Sequence, residues 1–281
     1  LSLCNRTIIK QMNDLLKRTL TGAVYVASVL AAICFNPIIS SIYFGIIGLI
    51  ALSEFYNITN KHYQKLSTIP AYFAAISLYT TVALYSFNID CKIPLLISVA
   101  LFVAIFIVAL YQKNENPFTS IAYTICGLIY IILPISTTNL IIQYNSEFQP
   151  LLLLSVFILA WCNDSFAYLT GVKFGKHRLF ERHSPKKSWE GFIGGFLFTI
   201  IAGIVISKFS NIFAIWHWIV ISIIVSSVGT LGDLVESMFK RQMGVKDSGK
   251  ILPGHGGILD RFDILFIVLP IVWVYLELIV K

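Results

Sequence analysis

The apolar segment at residues 215–239 carries polar side chains at helical intervals. The members of this stripe are spaced by four, three, four and three residues: Ser226, Thr230, Asp233, Ser237 and Lys240. That spacing places them on one face of a helix, with Glu236 at its border. Such a face turns toward the protein interior or a water-filled cavity, and Gly229 and Gly232 permit close packing against a neighbouring helix. The stripe can also serve as hydrogen bonding between helices, but its two carboxylates favour a chemical role.

The loop at residues 240–263 combines cations, glycines and carboxylates. Glycines let backbone N–H groups approach an anion closely, and cations neutralise it. Asp260 and Asp263 are three residues apart, so both carboxylates can face one site at the start of the last helix. His255 lies between glycines, where its ring either serves the site or fixes the loop by hydrogen bonding. The plainer interpretation of the whole run is a solvated loop, but the mixture of acids, bases and glycines favours a site.

Two further segments contain candidate residues. Lys186 and Lys187 are adjacent at a predicted helix entrance, where the helix dipole helps cations to meet phosphate. The alternative is a juxtamembrane basic cluster that binds anionic lipid. Asp164 is an ionisable group inside an apolar segment, which makes it a functional candidate. Its alternative role is a structural pair with a loop lysine.

These residue types together suit phosphoryl or nucleotidyl transfer. Such reactions need metal ions that clamp oxygens and cations that absorb the charge of the transferring group. Mg²⁺ is usually held by one or two carboxylates plus substrate phosphates. The candidate carboxylates are Asp233, Asp260, Asp263 and Glu236. The residues therefore predict a Mg²⁺-dependent enzyme that acts on a phosphate-rich substrate, without specifying which nucleotide.

The composition places these elements in a membrane. The chain has 281 residues, of which 57% are hydrophobic and 12% charged. Soluble domains are usually about 25% charged, and one core of this size could not hide so much apolar surface. The net charge of +7 does not indicate nucleic acid, because the basic residues cluster in short loops between apolar stretches. The five cysteines form no CxxC pair, so neither a zinc site nor a disulfide framework is expected.

The apolar stretches predict an all-α, polytopic integral membrane protein with about nine transmembrane helices. Their expected ranges are 19–35, 38–53, 68–87, 93–111, 118–135, 150–171 (interrupted at Asn163 and Asp164), 191–207, 215–239 and 264–280. With nine crossings, all but three of the 21 lysines and arginines fall on one side; the exceptions are Lys92, Lys208 and Lys281. This asymmetry predicts a cytoplasmic N-terminus, an outer C-terminus, and cytoplasmic loops at 173–190 and 240–263.

A long C-terminal motif resembles the phosphatidate cytidylyltransferase (CDP-diacylglycerol synthase) family. The motif reads Ser237-x-x-Lys240-Arg241-x4-Lys246-Asp247-x-Gly249-x3-Pro253-Gly254-His255-Gly256-Gly257-x2-Asp260-Arg261-x-Asp263. The segments at 163–168, 184–191 and 232–237 are also similar to family motifs. The resemblance covers residues 160–281 well and implies a catalytic region at 150–281, with scaffold helices at 1–149. It implies a nucleotidyltransferase of phospholipid biosynthesis, in the cell inner membrane, that converts CTP and phosphatidic acid to CDP-diacylglycerol and pyrophosphate.

The resemblance also implies roles for individual residues. The metal centre would contain Mg²⁺, with a monovalent cation such as K⁺ beside it, held by Asp233 and Asp260, with Glu236 and Asp263 as further members. The implied catalytic residues are Asp233, Asp260, Asp263, Lys240 and Arg241. The implied substrate-binding residues are Ser184, Lys186, Lys187, Ser237, Lys246, Asp247, His255, Gly256, Arg261 and Asp164. The implied partners are the bilayer and a second copy of the chain.

Two other functions compete with this one. A CTP-dependent polyprenol-type lipid kinase would use a similar set of carboxylates and cations. A cation-coupled transporter would use Asp164 and Asp233 to bind its ion. Transporters often carry internal repeats, and no second copy of the Asp233 segment is found in the chain.

Overall fold

The computed structural model describes residues 2–62, 66–252, 254 and 256–280, with side chains described from residue 19 onward except at 62. Its helices are α1 (Ser2–Phe35), α2 (Pro37–His62), α3 (Thr68–Ser86), α4 (Lys92–Tyr111), α5 (Pro117–Gly127), α6 (Leu133–Ile142), α7 (Pro150–Phe174), α8 (Trp189–Phe209), α9 (Ile215–Gln242) and α10 (Leu259–Tyr275). Wider helical turns at Leu128–Ile132 and Leu276–Val280 extend α5 and α10. The predicted all-α membrane fold is confirmed.

Eight helices in the described part of the chain are long and apolar enough to cross a membrane. The shorter apolar stretch Thr19–Phe35, which is part of α1, completes the set of about nine. Two predicted boundaries were wrong: the second helix continues to His62, and the fifth continues through α6 as one apolar span, Pro117–Ser146. Polar residues ended the predicted segments early, but Glu54 and Asn139 are buried inside the protein and interrupt neither helix.

The predicted interruption of the sixth helix at Asn163 and Asp164 is also wrong. The helix α7 is continuous from Pro150 to Phe174. Asn163 is buried and Asp164 borders a large cavity. Polar side chains that face a cavity or the protein interior do not require a break in the helix, because their backbone hydrogen bonds stay intact.

A small hairpin occupies most of the connection between α7 and α8. Its strands, β1 (Arg178–Phe180) and β2 (Ser184–Ser188), pair antiparallel. Strand β2 leads directly into α8, where the Ser188 hydroxyl caps the helix by accepting a hydrogen bond from Gly191 N at 3.1 Å. The hairpin thereby fixes Lys186 and Lys187 beside the start of α8, within the range 173–190 that the sequence predicts to be a loop.

The C-terminal helices pack in succession, α7 on α8, α8 on α9 and α9 on α10. The predicted close approach at Gly229 and Gly232 occurs between α9 and α10. A Cβ at Gly229 would lie 2.8 Å from Ile264 Cγ2, and one at Gly232 would lie 3.1 Å from Asp263 O. A side chain at Gly229 would overlap Ile264, and one at Gly232 would be in very close contact with the backbone of α10, so the two glycines let the acidic face of α9 reach the start of α10.

Candidate active site

A cavity of about 990 Å³ lies between α1, α7, α8, α9, α10 and the hairpin. It brings together the two loops that were predicted to share one side of the membrane. The predicted site residues among its lining are Asp164, Lys186, Lys187, Asp233, Lys240, Asp247, Asp260, Arg261 and Asp263. Four separate segments of sequence therefore converge on one polar cavity in an otherwise apolar protein.

Three acidic side chains form what we call the carboxylate cluster: Asp233 and Asp263, which line this cavity, and Glu236, which is fully buried. One oxygen from each lies within 4.8 Å of the others. Asp233 and Glu236 are three residues apart on α9, and Asp263 projects from the first turns of α10. The close packing at Gly232 brings these two helices near enough for the carboxylates to meet.

Two lysines balance part of this negative charge. Lys187 from the hairpin forms an ion pair with Asp233. Lys240 Nζ lies 2.5 Å from Glu236 Oε2 and 2.7 Å from Asp260 Oδ1. Asp260 adds a fourth carboxylate to the three of the cluster, so the carboxylates outnumber the lysines by two within this group.

Glu236 shows most clearly that the group suits a cation. It is fully buried; its Oε1 has no hydrogen-bond partner among the described residues, and its Oε2 contacts Lys240 Nζ at 2.5 Å. Burial of a charged group without hydrogen bonds is costly unless another charge compensates it. Three carboxylate oxygens within 4.8 Å of one another and a surplus of carboxylates over lysines fit a divalent cation such as Mg²⁺.

Asp260 lines the same cavity but has a different environment. Its Oδ2 accepts hydrogen bonds from Ser248 N (2.9 Å), Ser248 Oγ (3.0 Å) and Gly257 N (2.8 Å), while Oδ1 pairs with Lys240. A Cβ at Gly256, whose φ is 85°, would lie 2.5 Å from Asp260 Oδ2. The structure does not bring Asp260 into the carboxylate cluster with Asp233, so its role as a metal ligand stays a prediction.

The other predicted residues lie around this centre. Ser237 Oγ donates a hydrogen bond to Asp233 Oδ1 at 3.3 Å. Ser184 pairs with Phe180 across the hairpin. Arg241 and Lys246 are exposed and are not among the described residues that line the cavity. His255 lies outside the described residues.

Sequence reasoning missed residues that α1, α2 and the hairpin contribute. Tyr25 of α1 lines the cavity, and Arg178 of β1 lies on the hairpin side of it. Glu54 of α2 is 4% exposed and contacts the loop that precedes α10. The signal for Glu54 was present, since it is an acid inside an apolar segment, which is the criterion applied to Asp164. The first five helices had been interpreted as scaffold.

The chain is similar to known enzymes along almost its whole length. A model of the cytidylyltransferase family matches residues 16–279. The phosphatidate cytidylyltransferase of Staphylococcus saprophyticus is 34% identical over 259 residues, which cover 90% of this chain and 96% of the relative. That of Staphylococcus haemolyticus is 36% identical over 264 residues, with the same coverage of both chains. These matches confirm the resemblance inferred from the C-terminal motif and extend it through the N-terminal helices.

Proposed function

We propose that this chain, which belongs to the cytidylyltransferase family, transfers the cytidylyl group of CTP to phosphatidic acid. The products would be CDP-diacylglycerol and pyrophosphate. The observation that carries the proposal is the single cavity in which a cluster of carboxylates faces the paired lysines of the hairpin. Its relatives in Staphylococcus are named for this reaction.

The carboxylate cluster is the proposed site of Mg²⁺. Asp233, Glu236 and Asp263 would hold the ion, because they supply three oxygens within 4.8 Å of one another. When bound there, Mg²⁺ would neutralise negative charge on the phosphate oxygens and on these carboxylates. A monovalent cation such as K⁺ beside it stays part of the proposal. Asp260, which the resemblance also implies as a ligand, is not one of these three oxygens; we propose that it mainly holds Lys240, with which its Oδ1 pairs at 2.7 Å.

The protein's own cations address the main obstacle to the reaction, which is the repulsion between two anions. Lys186, Lys187 and Arg261 line the cavity, where they would contact the phosphate groups of the two substrates. An oxygen of the phosphatidate phosphate attacks the α-phosphorus of CTP, a new P–O bond forms, and the bond to the β-phosphate oxygen breaks. The nucleophile is already an anion, so no strong general base is required. Orientation of the two phosphates and neutralisation of their charge account for the catalysis.

The proposed setting is a cell inner membrane. Because the loops at 173–190 and 240–263 share one cavity, we place both on the cytoplasmic side, where nucleotides are found. The N-terminus then lies in the cytoplasm and the C-terminus outside. A homodimer, with residues 1–149 as scaffold and residues 150–281 as the catalytic region, completes the proposal.

A labelled-substrate assay tests the reaction. Purified protein is incubated with phosphatidic acid, Mg²⁺ and CTP that carries one label in the base and another in the γ-phosphate. We expect the base label in the lipid, equimolar pyrophosphate in solution, and no product when a chelator is present. Transfer of the γ-phosphate label alone would reject the proposal in favour of a lipid kinase. Metal- and CTP-independent uptake of a solute into vesicles, without lipid product, would favour a transporter.

A further inference from the structure

Glu54 connects the N-terminal helices to the loop that carries Asp260. We propose that Glu54 is a positioning residue: it holds Ser248 and the backbone N–H groups of Ile258 and Leu259 and, through Ser248, keeps Asp260 in the orientation that pairs with Lys240. The inference rests on the proposed function for its effect on turnover. Glu54 and Ser248 are 194 residues apart in the chain, so this contact ties the two halves of the protein together.

The Glu54 carboxylate caps the start of α10. Its Oε2 accepts a hydrogen bond from Leu259 N at 2.8 Å, and its Oε1 accepts one from Ile258 N at 3.1 Å. The first N–H groups of a helix have no partner within the helix, and a negative charge there also interacts favourably with the helix dipole. Because the neighbouring Gly257 N donates to Asp260, Glu54 and Asp260 divide three consecutive N–H groups between them.

The glycines of the loop make room for Glu54. A Cβ at Gly249 would lie 2.8 Å from Glu54 Cδ, and a Cβ at Gly257 would lie 2.6 Å from the same atom. Either side chain would displace the carboxylate. The sequence had suggested that glycines here admit an anion; at these two positions the anion is the side chain of Glu54, and the glycines serve the architecture of the loop.

Ser248 transmits the position of Glu54 to the cavity. Its hydroxyl lies 3.1 Å from Glu54 Oε2 and 3.0 Å from Asp260 Oδ2, and its N–H donates to the same Asp260 oxygen. A hydroxyl has one proton to donate, so it bridges the two carboxylates by sharing it. The other Asp260 oxygen pairs with Lys240, which also contacts Glu236. A displacement of Glu54 would therefore move Asp260 and, with it, Lys240.

The test compares Glu54→Gln with the matched control Thr59→Val. Glutamine turns an amide nitrogen toward backbone N–H donors, so at least one contact with the loop is lost. Thr59 is also fully buried on α2, but its hydroxyl donates within the helix to Phe55 O. We expect Glu54→Gln to lower kcat by about tenfold or more, as for other outer-shell partners of an active site. We expect Thr59→Val to keep wild-type kcat per folded protein.

Limited trypsin digestion supplies a readout that needs neither CTP nor metal. Lys246 and Lys250 are exposed on the loop, whereas Lys176 beside the hairpin is an internal reference in the same digest. Loss of a contact with the loop raises the fraction of molecules in which the loop is locally unfolded and accessible to trypsin. We therefore expect cleavage after Lys246 or Lys250 to become about fivefold faster in Glu54→Gln. The Lys176 site and the Thr59→Val protein should digest as wild type.

The outcomes separate the inference from the proposed function. The positioning role of Glu54 is overturned if Glu54→Gln keeps both the wild-type kcat and the wild-type rate of loop cleavage. It is also overturned if Thr59→Val loses as much kcat as Glu54→Gln. If Glu54→Gln does not accumulate in the membrane, Ser248→Ala replaces it as the test, because Glu54 and Asp260 both keep their backbone hydrogen bonds in that variant. A wild-type kcat together with a wild-type rate of loop cleavage in Ser248→Ala would also overturn the positioning role of Glu54. A wild-type protein without lipid product would reject the reaction, while faster loop cleavage in Glu54→Gln would still support the positioning of the loop.

Discussion

The carboxylate cluster and Asp260 contain the same chemical group, yet their surroundings differ. In the cluster, Glu236 is fully buried, its Oε1 has no hydrogen-bond partner among the described residues, and its Oε2 contacts Lys240. Asp260 contacts the same lysine through one oxygen and accepts three hydrogen bonds on the other. A carboxylate with four polar partners gains less from a cation than a buried carboxylate with one, so the proposed Mg²⁺ site fits the cluster better than Asp260. The comparison teaches that the partners of a carboxylate, and not its residue type alone, decide how well it suits a proposed role as a metal ligand.

Lys240 joins the two environments, and its removal should have the largest effect. Lys240→Met leaves the buried Glu236 and Asp260 without their shared cation, and breaking a buried pair costs about 3–5 kcal/mol. The matched control is Lys187→Met, whose ion pair with Asp233 is partly exposed and should contribute about 1 kcal/mol or less. Unfolding of both purified variants with denaturant in mild detergent measures the difference. Equal free energies of unfolding in the two variants would show that the loss of Lys240 leaves no costly unpaired charge on Glu236.

Asp263→Asn tests the cluster directly. An amide oxygen can still accept the hydrogen bond from Ile264 N, so the fold should persist while one charged ligand is lost. We expect kcat at a fixed low Mg²⁺ concentration to fall by about a hundredfold, with partial recovery as Mg²⁺ is raised. Initial rates over a Mg²⁺ titration measure both effects. A wild-type Mg²⁺ midpoint in this variant would remove Asp263 from the metal site.

Asp260→Asn should behave differently. Its amide oxygen can still accept from Ser248 and Gly257, but its nitrogen then faces Lys240 and the ion pair is lost. We expect turnover to fall by about tenfold or more, with the Mg²⁺ midpoint close to that of the wild type, since the variant disturbs an outer partner. If the Mg²⁺ midpoint shifts as far in Asp260→Asn as in Asp263→Asn, Asp260 is itself a metal ligand, and the contrast between Asp260 and the carboxylate cluster is wrong.

The membrane fold was predictable because its signal is local. Apolar segments of about 20 residues and an asymmetry of basic loops follow from the bilayer as solvent. The hairpin at β1 and β2 lacked such a signal, because two short strands depend on the helices at their ends. The length of α2 was missed since hydropathy counts Glu54 as polar, although the loop before α10 satisfies its carboxylate.

The site was predictable to the level of a helix face. Helical spacing places Asp233 and Glu236 together, and the structure confirms that Asp263 lies near them. The choice between Asp263 and Asp260 was beyond the sequence, because both stand at the start of α10 and the loop decides which of them meets backbone N–H groups. The contacts of Glu54 were equally hidden, since they join segments that only the tertiary fold brings together.

Ser237→Ala should produce the smallest effect and sharpens the comparison within the cluster. The Ser237 hydroxyl is the neutral donor to Asp233, and its 3.3 Å distance to Oδ1 is long for a hydrogen bond between oxygens. A net contribution of about 0.5–1.5 kcal/mol corresponds to a loss of about twofold to tenfold in kcat/KM. The control is Ser227→Ala on the same helix, whose hydroxyl bonds to Ile223 O and should leave the rate unchanged. A loss of a hundredfold in Ser237→Ala would mean that the hydroxyl contacts the substrate or the ion itself, because support of Asp233 alone cannot supply that much.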